Sequence, residues 1–199
     1  MQQNGYPVQS FTTVYPGDVK YVDLTGENII DANDRKAIGY STTAPDIYYN
    51  FHLGAEYKGI GLDAMFQGVG RWTGFMTTNG LYRSAVATNT LSQYLYENSW
   101  SAERGNTESA LFPRLSTTSN ANNDLNSTLN MFDRSYIKLR YVELYYHLPK
   151  SLLNKLSVIN NIKLYVRGTD LFTADHLDKA DAASYGVAQP LTRSVQLGA

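Results

Sequence analysis

From Val142 the apolar residues fall on every second position: Val142, Leu144, Tyr146 and Leu148. After a Pro149-Lys150-Ser151 connector the alternation returns with Ile162, Leu164 and Val166. A period of two marks a strand with two unlike faces. The same pattern runs through Ile47, Tyr49, Phe51, Leu53, Ala55 and Tyr57, with Tyr48, Asn50, His52, Gly54 and Glu56 between them. Lys58-Gly59 then reads as a two-residue hairpin turn, with glycine supplying the unusual backbone angle. The return strand carries Ile60, Leu62, Ala64 and Phe66 on one face, continued by Gly68 and Gly70, and Asp63, Gln67 and Arg71 on the other. These runs are about 12 residues long, against about 5–6 for a common soluble strand. A tilted strand crossing a bilayer needs roughly 9–11. In one place the phase slips: Ile137 and Leu139 sit on odd positions, but Val142, Leu144 and Tyr146 on even ones. A β-bulge near Arg140–Tyr141 accounts for this, or the first few residues lie above the membrane.

The predicted elements are a hairpin over 47–71, strands over 136–148 and 161–172, and a partial last strand over 191–199. A short strand is expected at Val19–Val22, a short helix at 90–98 and one helical turn at 151–156. Residues 72–134 are polar and rich in Asn, Ser and Thr, and read as one long loop; 173–190 read as another. Short links follow Tyr57 and Leu148; long links precede Ile47 and follow Arg71 and Phe172. Transmembrane barrels alternate short periplasmic turns with long external loops. The pattern therefore predicts that the 17–46, 72–134 and 173–190 loops lie outside the cell.

Composition adds three points. The 199 residues hold 16 Tyr against 7 Phe and 2 Trp, and a ring with a polar tip suits a water–lipid boundary. Net charge is −1, which favours neither nucleic acid nor polybasic membrane docking. Mean hydropathy is −0.35 and no run reaches 18 apolar residues, so no transmembrane helix is expected; barrel strands average out because their two faces alternate. There is no cysteine, which removes disulfide frameworks and thiol catalysis. The start, MQQNGYPVQS, lacks the basic and apolar regions of a signal peptide. Export therefore implies a start further upstream.

Candidate chemistry is sparse. Set against an EF-hand-type loop, oxygen side chains fall at loop positions 1, 3, 5, 9 and 12: Asp23, Thr25, Glu27, Asp31 and Asp34. Ile29 would offer its carbonyl at position 7, and calcium is the ion such crowded hard oxygens take. Asn28 stands where glycine is usual, and Asp34 where a bidentate Glu is usual. The other reading is a solvated acidic turn. Trp100 is a candidate for stacking on a sugar, or a packing anchor. His52 reads as a polar residue facing a watery lumen. The three His, at 52, 147 and 176, lie in separate segments. No nucleophile motif, phosphate loop or paired-carboxylate motif stands out, so an enzyme is not expected.

Several phrases carry a resemblance. They are Pro16-Gly17-Asp18-Val19-Lys20-Tyr21, Asn98-Ser99-Trp100-Ser101-Ala102-Glu103-Arg104-Gly105-Asn106, and Phe112-Pro113-Arg114-Leu115-Ser116. Further along come Ser135-Tyr136-Ile137-Lys138-Leu139-Arg140, Leu148-Pro149-Lys150-Ser151-Leu152-Leu153 and Leu164-Tyr165-Val166-Arg167-Gly168-Thr169-Asp170-Leu171-Phe172. In order and spacing they resemble the C-terminal barrel region of SusC/RagA-type TonB-dependent outer-membrane transporters, over about residues 16 to 199. The resemblance implies import of glycans or peptides across a Gram-negative, Bacteroidetes-like outer membrane. It implies energy from TonB through an upstream region, a SusD-like surface lipoprotein as partner, and outer-membrane lipid around the barrel. It also implies a more complete form of the Asp23 loop in many relatives, and a last strand that ends on an aromatic residue where this chain has Gly198-Ala199.

The expected fold is all-β: antiparallel long-stranded hairpins forming the C-terminal part of a transmembrane β-barrel. Five strands do not close one, since bacterial barrels start at about 8 strands. The alternative is a soluble, calcium-stabilised β-sandwich that binds carbohydrate. Sandwiches place turn signals every 8–12 residues or so, and this chain does not.

Overall fold

The computed structural model describes residues 5–77, 82–83, 91–153, 160–176 and 192–199. The chain divides into two compact units: residues 1–38 with 75–131, and residues 39–74 with 132–199.

The second unit is built on a five-stranded sheet. Its strands are β3 (Ile47–Tyr57), β4 (Ile60–Gly70), β7 (Tyr136–His147), β8 (Lys163–Asp175) and β9 (Ser194–Gly198), in the order β3-β4-β7-β8-β9. Every pairing is antiparallel. The β3–β4 hairpin is in register from Tyr57–Ile60 to Ile47–Gly70. Its turn residues Lys58 and Gly59 both have positive φ, 51° and 83°, as a type I′ turn demands. The expected all-β, antiparallel, long-stranded architecture is present, as an open sheet rather than a closed barrel. No helix among the described residues is long and apolar enough to cross a membrane.

The phase slip has a structural cause at the place the pattern indicated. Met65 pairs with Tyr141 and Phe66 with Leu139, so Arg140 is an extra residue in β7. On the other side Tyr141 pairs with Thr169 and Leu139 with Phe172. Two residues of β8, Asp170 and Leu171, therefore face one of β7.

Strand ends differ from the sequence reading by a few residues. β8 spans Lys163–Asp175, so Thr173 to Asp175, expected in a loop, continue the ladder with Lys138, Ile137 and Tyr136. Residues 177–190 of the expected 173–190 loop, Leu191 of the expected last strand, and 154–156 of the expected helical turn lie outside the described residues. The described part of that turn is α2 (Lys150–Leu153).

Two further expectations are corrected. Val19–Val22 form no strand. The Val19 N–H donates to Asn123 Oδ1 at 2.8 Å and its carbonyl accepts from Asn122 Nδ2 at 2.7 Å. Side-chain amides thus take the groups a ladder would have used. Strand pairing occurs instead between β1 (Val8–Gln9) and β2 (Ile29–Ile30), in parallel. Nor is 72–134 a single unstructured loop. It contains the expected short helix, α1 (Gln93–Asn98), and two strands that were not expected, β5 (Thr73–Phe75) and β6 (Met131–Asp133), which pair as a ribbon. α1 starts on Ser92, whose hydroxyl accepts from the Leu95 N–H, a standard use of serine as N-cap. Leu95 and Ser99 are fully buried, and the Ser99 hydroxyl donates to the Leu95 carbonyl.

Candidate functional site

The sheet presents two chemically opposite faces. On one, the register aligns Ala55, Leu62, Leu144, Val166 and Leu197 in a row. Below it lies the row Tyr57, Ile60, Tyr146 and Leu164, and above the bulge the row Phe51, Phe66, Leu139 and Phe172. The Phe51 and Phe66 rings stack at 4.9 Å. Much of this face is exposed: Leu144 by 54%, Leu197 by 78%, and Leu53, on the same face of β3, by 59%. A continuous apolar face of this size is an interaction surface, not ordinary solvent-facing protein. From Ile47 to Tyr57 the face runs roughly 34 Å along β3 at about 3.4 Å per residue. At the ~40° strand tilt usual for barrels, that is a height of about 26 Å, close to the apolar band of outer-membrane barrels.

The opposite face is polar and charged. One row reads Gly54, Asp63, Glu143, Arg167 and Gln196. Asp63 and Glu143 are direct cross-strand partners, and like charges there are destabilising. Each has a side-chain partner of its own. His52 Nε2 lies 2.7 Å from Asp63 Oδ1. Glu143, only 3% exposed as a side chain, receives Lys163 Nζ at 2.5 Å and Arg167 Nη2 at 2.6 Å. Those cations also cover aromatic rings: Lys163 stands 4.4 Å from the Tyr145 centroid, and Arg167 5.4 Å from that of Tyr141. His52 thus sits on the polar face, as its position in the alternation implied.

Part of the tyrosine excess has a packing role that the sequence reading missed. Tyr49 lies opposite Gly68, Tyr145 opposite Gly61 and Tyr165 opposite Gly198. In each pair the ring covers the glycine so closely that a Cβ there would come within 2.1–2.4 Å of it. Glycine opens the space and the cross-strand tyrosine fills it, a pairing that restores contact area lost at sheet glycines. Only the register reveals it, because the partners are far apart in sequence.

In the first unit, the Asp23–Asp34 segment forms a tight turn. Asn28 adopts φ 61°, so the left-handed conformation needed at the sixth position is met by asparagine. Asp23 accepts from the Gly26 and Asn28 N–H groups at 2.6 and 2.7 Å. Asp34 accepts from those of Leu24 and Asp31 at 2.7 and 2.9 Å. These backbone donors, that of Asp31 first, hold the Asp34 carboxyl below the usual range. Thr25 Oγ1 lies 3.2 Å from Asp23 Oδ1, 3.2 Å from Glu27 Oε1 and 3.4 Å from Asp34 Oδ1. Four of the six expected calcium ligands therefore meet, around the Thr25 hydroxyl. Asp31 is turned to cap the 3-10 turn at 32–34, accepting from Asn33, and Ile29 is in β2. Among the described residues, no three His, Cys, Asp or Glu side chains gather in a metal-holding arrangement.

Trp100 is half-buried, and its ring lies against Gly17, where a Cβ would be 2.3 Å from Cε3. One face of the indole is therefore used in packing. Beside it is a polar knot that no motif announced. The Asp18 side chain, 1% exposed, accepts from Arg114 Nε at 2.8 Å, from Asn123 Nδ2 at 2.8 Å and from Asn120 Nδ2 at 3.1 Å. It also accepts from the Tyr15 N–H at 2.9 Å.

A long-stranded antiparallel wall, apolar on one face and charged on the other, is the architecture of an outer-membrane β-barrel. No family model matches the chain. It is 29% identical over 167 residues to TonB-dependent receptor P3 of Formosa agariphila, a match that covers 83% of this chain and 15% of that relative. Among solved structures, it superposes on the RagAB peptide importer in the open-open state with a TM-score of 0.60 and 24% identity, covering 84% of this chain and 18% of the other. The closed-closed state gives a TM-score of 0.55 at 25% identity, over 74% and 16%. The resemblance to SusC/RagA-type TonB-dependent transporters is borne out, and the fold is theirs. The chain spans less than a fifth of the length of these relatives.

Proposed function

We propose that the chain forms part of the barrel wall and external loops of a TonB-dependent outer-membrane transporter of the SusC/RagA type. The observation that carries the reading is the exposed apolar face opposite the Glu143–Lys163–Arg167 network. Lipid would cover the first and the transporter lumen would border the second. The β3–β4 turn at the Tyr57 end is tight, and the longest link, from β4 to β7, leaves from the Ile47 end, which supports placing the 72–134 segment outside the cell. Transport itself would be powered through TonB by parts of the protein upstream. A SusD-like lipoprotein would be the surface partner and a glycan or peptide the cargo; the RagAB complex whose fold this chain shares is a peptide importer, which favours peptide. A carbohydrate-binding sandwich would cover the apolar face with a second sheet, whereas Leu53, Leu144 and Leu197 stand exposed.

The test is the native product. An antibody to the 114–130 segment should detect, in the outer-membrane fraction of the source cells, a band several times larger than 22.2 kDa. Deleting the gene should abolish growth on the imported peptide or glycan. A soluble band near 22.2 kDa would overturn the reading.

The Asp23–Asp34 turn belongs to the same proposal as a structural calcium site, with Asp23, Thr25, Glu27, Ile29, Asp31 and Asp34 as ligands. The left-handed Asn28 and the convergence of three carboxylates on one hydroxyl support it; the Thr25 hydroxyl and Asp31 would have to reorient around the ion. Calorimetric titration of the full-length protein with calcium should show one site lost in Asp23→Asn. Absence of saturable binding up to millimolar calcium would leave the acidic turn as the correct description.

A further inference from the structure

Three adjacent strands handle one level of the sheet differently. β4 passes from Met65 to Phe66 with no extra residue, β7 inserts Arg140, and β8 inserts Asp170 and Leu171. The insertions grow by one per strand, so the ladder above this level is staggered stepwise from the ladder below it. One insertion flips the side-chain phase of β7; two leave that of β8 unchanged. The outcome is that Ile137, Leu139, Phe172 and Ala174 share the apolar face with Val142, Leu144, Leu164 and Val166.

A competing register exists. If the ladder below the bulge continued unbroken, Ile137 would face Thr173 instead of Ala174. Phe172 would then join Lys138 on the polar face. A slip of one residue flips every side chain of a strand, and here it would exchange an aromatic for a threonine on the apolar side. Two features stand where the choice is made. Arg140 Nη1 meets Asp170 Oδ1 at 2.9 Å, linking the inserted residues of β7 and β8. Asp170 is held at φ 52°, a conformation that costs a non-glycine residue free energy and so needs compensation. Leu171 folds over Gly168, its Cδ1 lying 2.4 Å from where a Cβ would stand.

We infer that the Arg140–Asp170 ion pair is the register pin of this nested bulge. It selects the staggered ladder over the continuous one, and thereby keeps a single apolar face across both halves of the sheet. Partly buried ionic groups serve in this way where alternatives differ by register, and bulges are sites where a strand is re-aimed. The inference goes beyond the transporter reading, since it concerns the ladder whatever lies on either face.

Cysteine cross-linking in the full-length protein tests it, helped by the absence of cysteine from this chain. Ile137→Cys with Ala174→Cys reports the staggered register; Ile137→Cys with Thr173→Cys reports the continuous one. With the pin intact the first pair should cross-link at least about tenfold faster. Arg140→Ala and Asp170→Ala should each reverse or abolish that preference, and Arg140→Asp with Asp170→Arg should restore it. Asp170→Gly relaxes the backbone at this φ while removing the charge, so it keeps the test decisive if the alanine variants fail to assemble. Loss of the preference in Asp170→Gly supports the pin. Retention of the preference in Asp170→Gly, or in both alanine variants, overturns it.

Discussion

Asp18→Ala should open the first unit without dismantling the sheet of the second. The carboxylate is almost completely buried and takes donors from Arg114, Asn120, Asn123 and the Tyr15 N–H, so it ties residues 15–18 to a segment about 100 positions away. Its removal strands a guanidinium and two amides, and Asn123 is itself 8% exposed. Breaking a buried ion pair by deleting one partner costs roughly 3–5 kcal/mol. Arg114 is partly exposed, at 30%, and regains some hydration, so the lower figure of about 3 kcal/mol applies. At 1.4 kcal/mol per decade that is roughly a 100-fold rise in the population of the opened unit. When opening and closing are fast, cleavage rates follow that population. Trypsin cleavage after Lys20, Arg104 or Arg114 in the full-length protein should therefore accelerate by about 100-fold, while cleavage after Lys138 or Arg167 stays unchanged. An acceleration below about fivefold would show that the knot contributes little, and would refute the view that Asp18 organises this unit.

Other outcomes follow from the same geometry. Gly61→Ala places a Cβ 2.1 Å from Tyr145 Cζ, which must displace the ring and its 3.1 Å bond to Glu56; urea unfolding in lipid vesicles should show a loss of about 1–3 kcal/mol, largely relieved in Gly61→Ala with Tyr145→Ala, and additive losses would refute the coupling. Lys58→Asn, at φ 51°, should stabilise by about 0.5–1 kcal/mol, because Asn is better tolerated at the first position of a type I′ turn; an unchanged denaturation midpoint would count against the turn assignment. Burial, aided by the nearby Asp124 charge and opposed by the Ser127 hydrogen bond, raises the Tyr21 phenol from 10.0 to about 12. A raised folded-state value contributes stability that is complete below pH ~10 and lost as pH climbs through the folded value. Alkaline difference spectra of the protein against Tyr21→Phe should therefore show one phenol ionising near pH 12 and the first unit loosening over that interval; ionisation of Tyr21 near 10 would contradict its placement.

What the sequence disclosed, and what it concealed, follows from which features alter a period of two. The hairpin from Ile47 to Gly70 was legible because each of its strands alternates without interruption. Arg140 was legible because one inserted residue reverses the phase, so Ile137 and Leu139 stand out of step with Val142 and Leu144. Asp170 and Leu171 were concealed for the same reason turned around: two insertions restore the phase, and β8 reads as unbroken. In the first unit the order comes from side-chain amides. Asn122 and Asn123 bond the Val19 backbone, a use of asparagine with no periodicity, so a structured segment had the look of a polar loop. Trp100 and Gly17 illustrate the same limit for the candidate site, since a ring and the gap it fills lie more than 80 residues apart.

The bulge also bears on how such a wall assembles. A barrel needs its strands staggered as well as tilted. A stagger introduced as zero, one and two residues in successive strands supplies shear at one level while leaving the apolar faces of β4, β7 and β8 aligned. Introduced as one residue in each strand, it would shift no strand relative to its neighbour. Introduced as one residue in both β7 and β8, it would leave the β7–β8 ladder unbroken and turn Phe172 to the charged side opposite Lys138. The odd count in β7 and the even count in β8 are therefore not interchangeable. Deleting Arg140 should remove the bulge from β7 and keep Ile137 and Leu139 on the apolar face with Val142, Leu144 and Tyr146; deleting Leu171 instead changes the parity of β8 and should turn Phe172 and Ala174 to the polar face. Labelling by a lipid-soluble reagent of cysteines placed at 137, 139, 172 and 174 would distinguish the two outcomes, and equal labelling in both deletions would refute the parity argument.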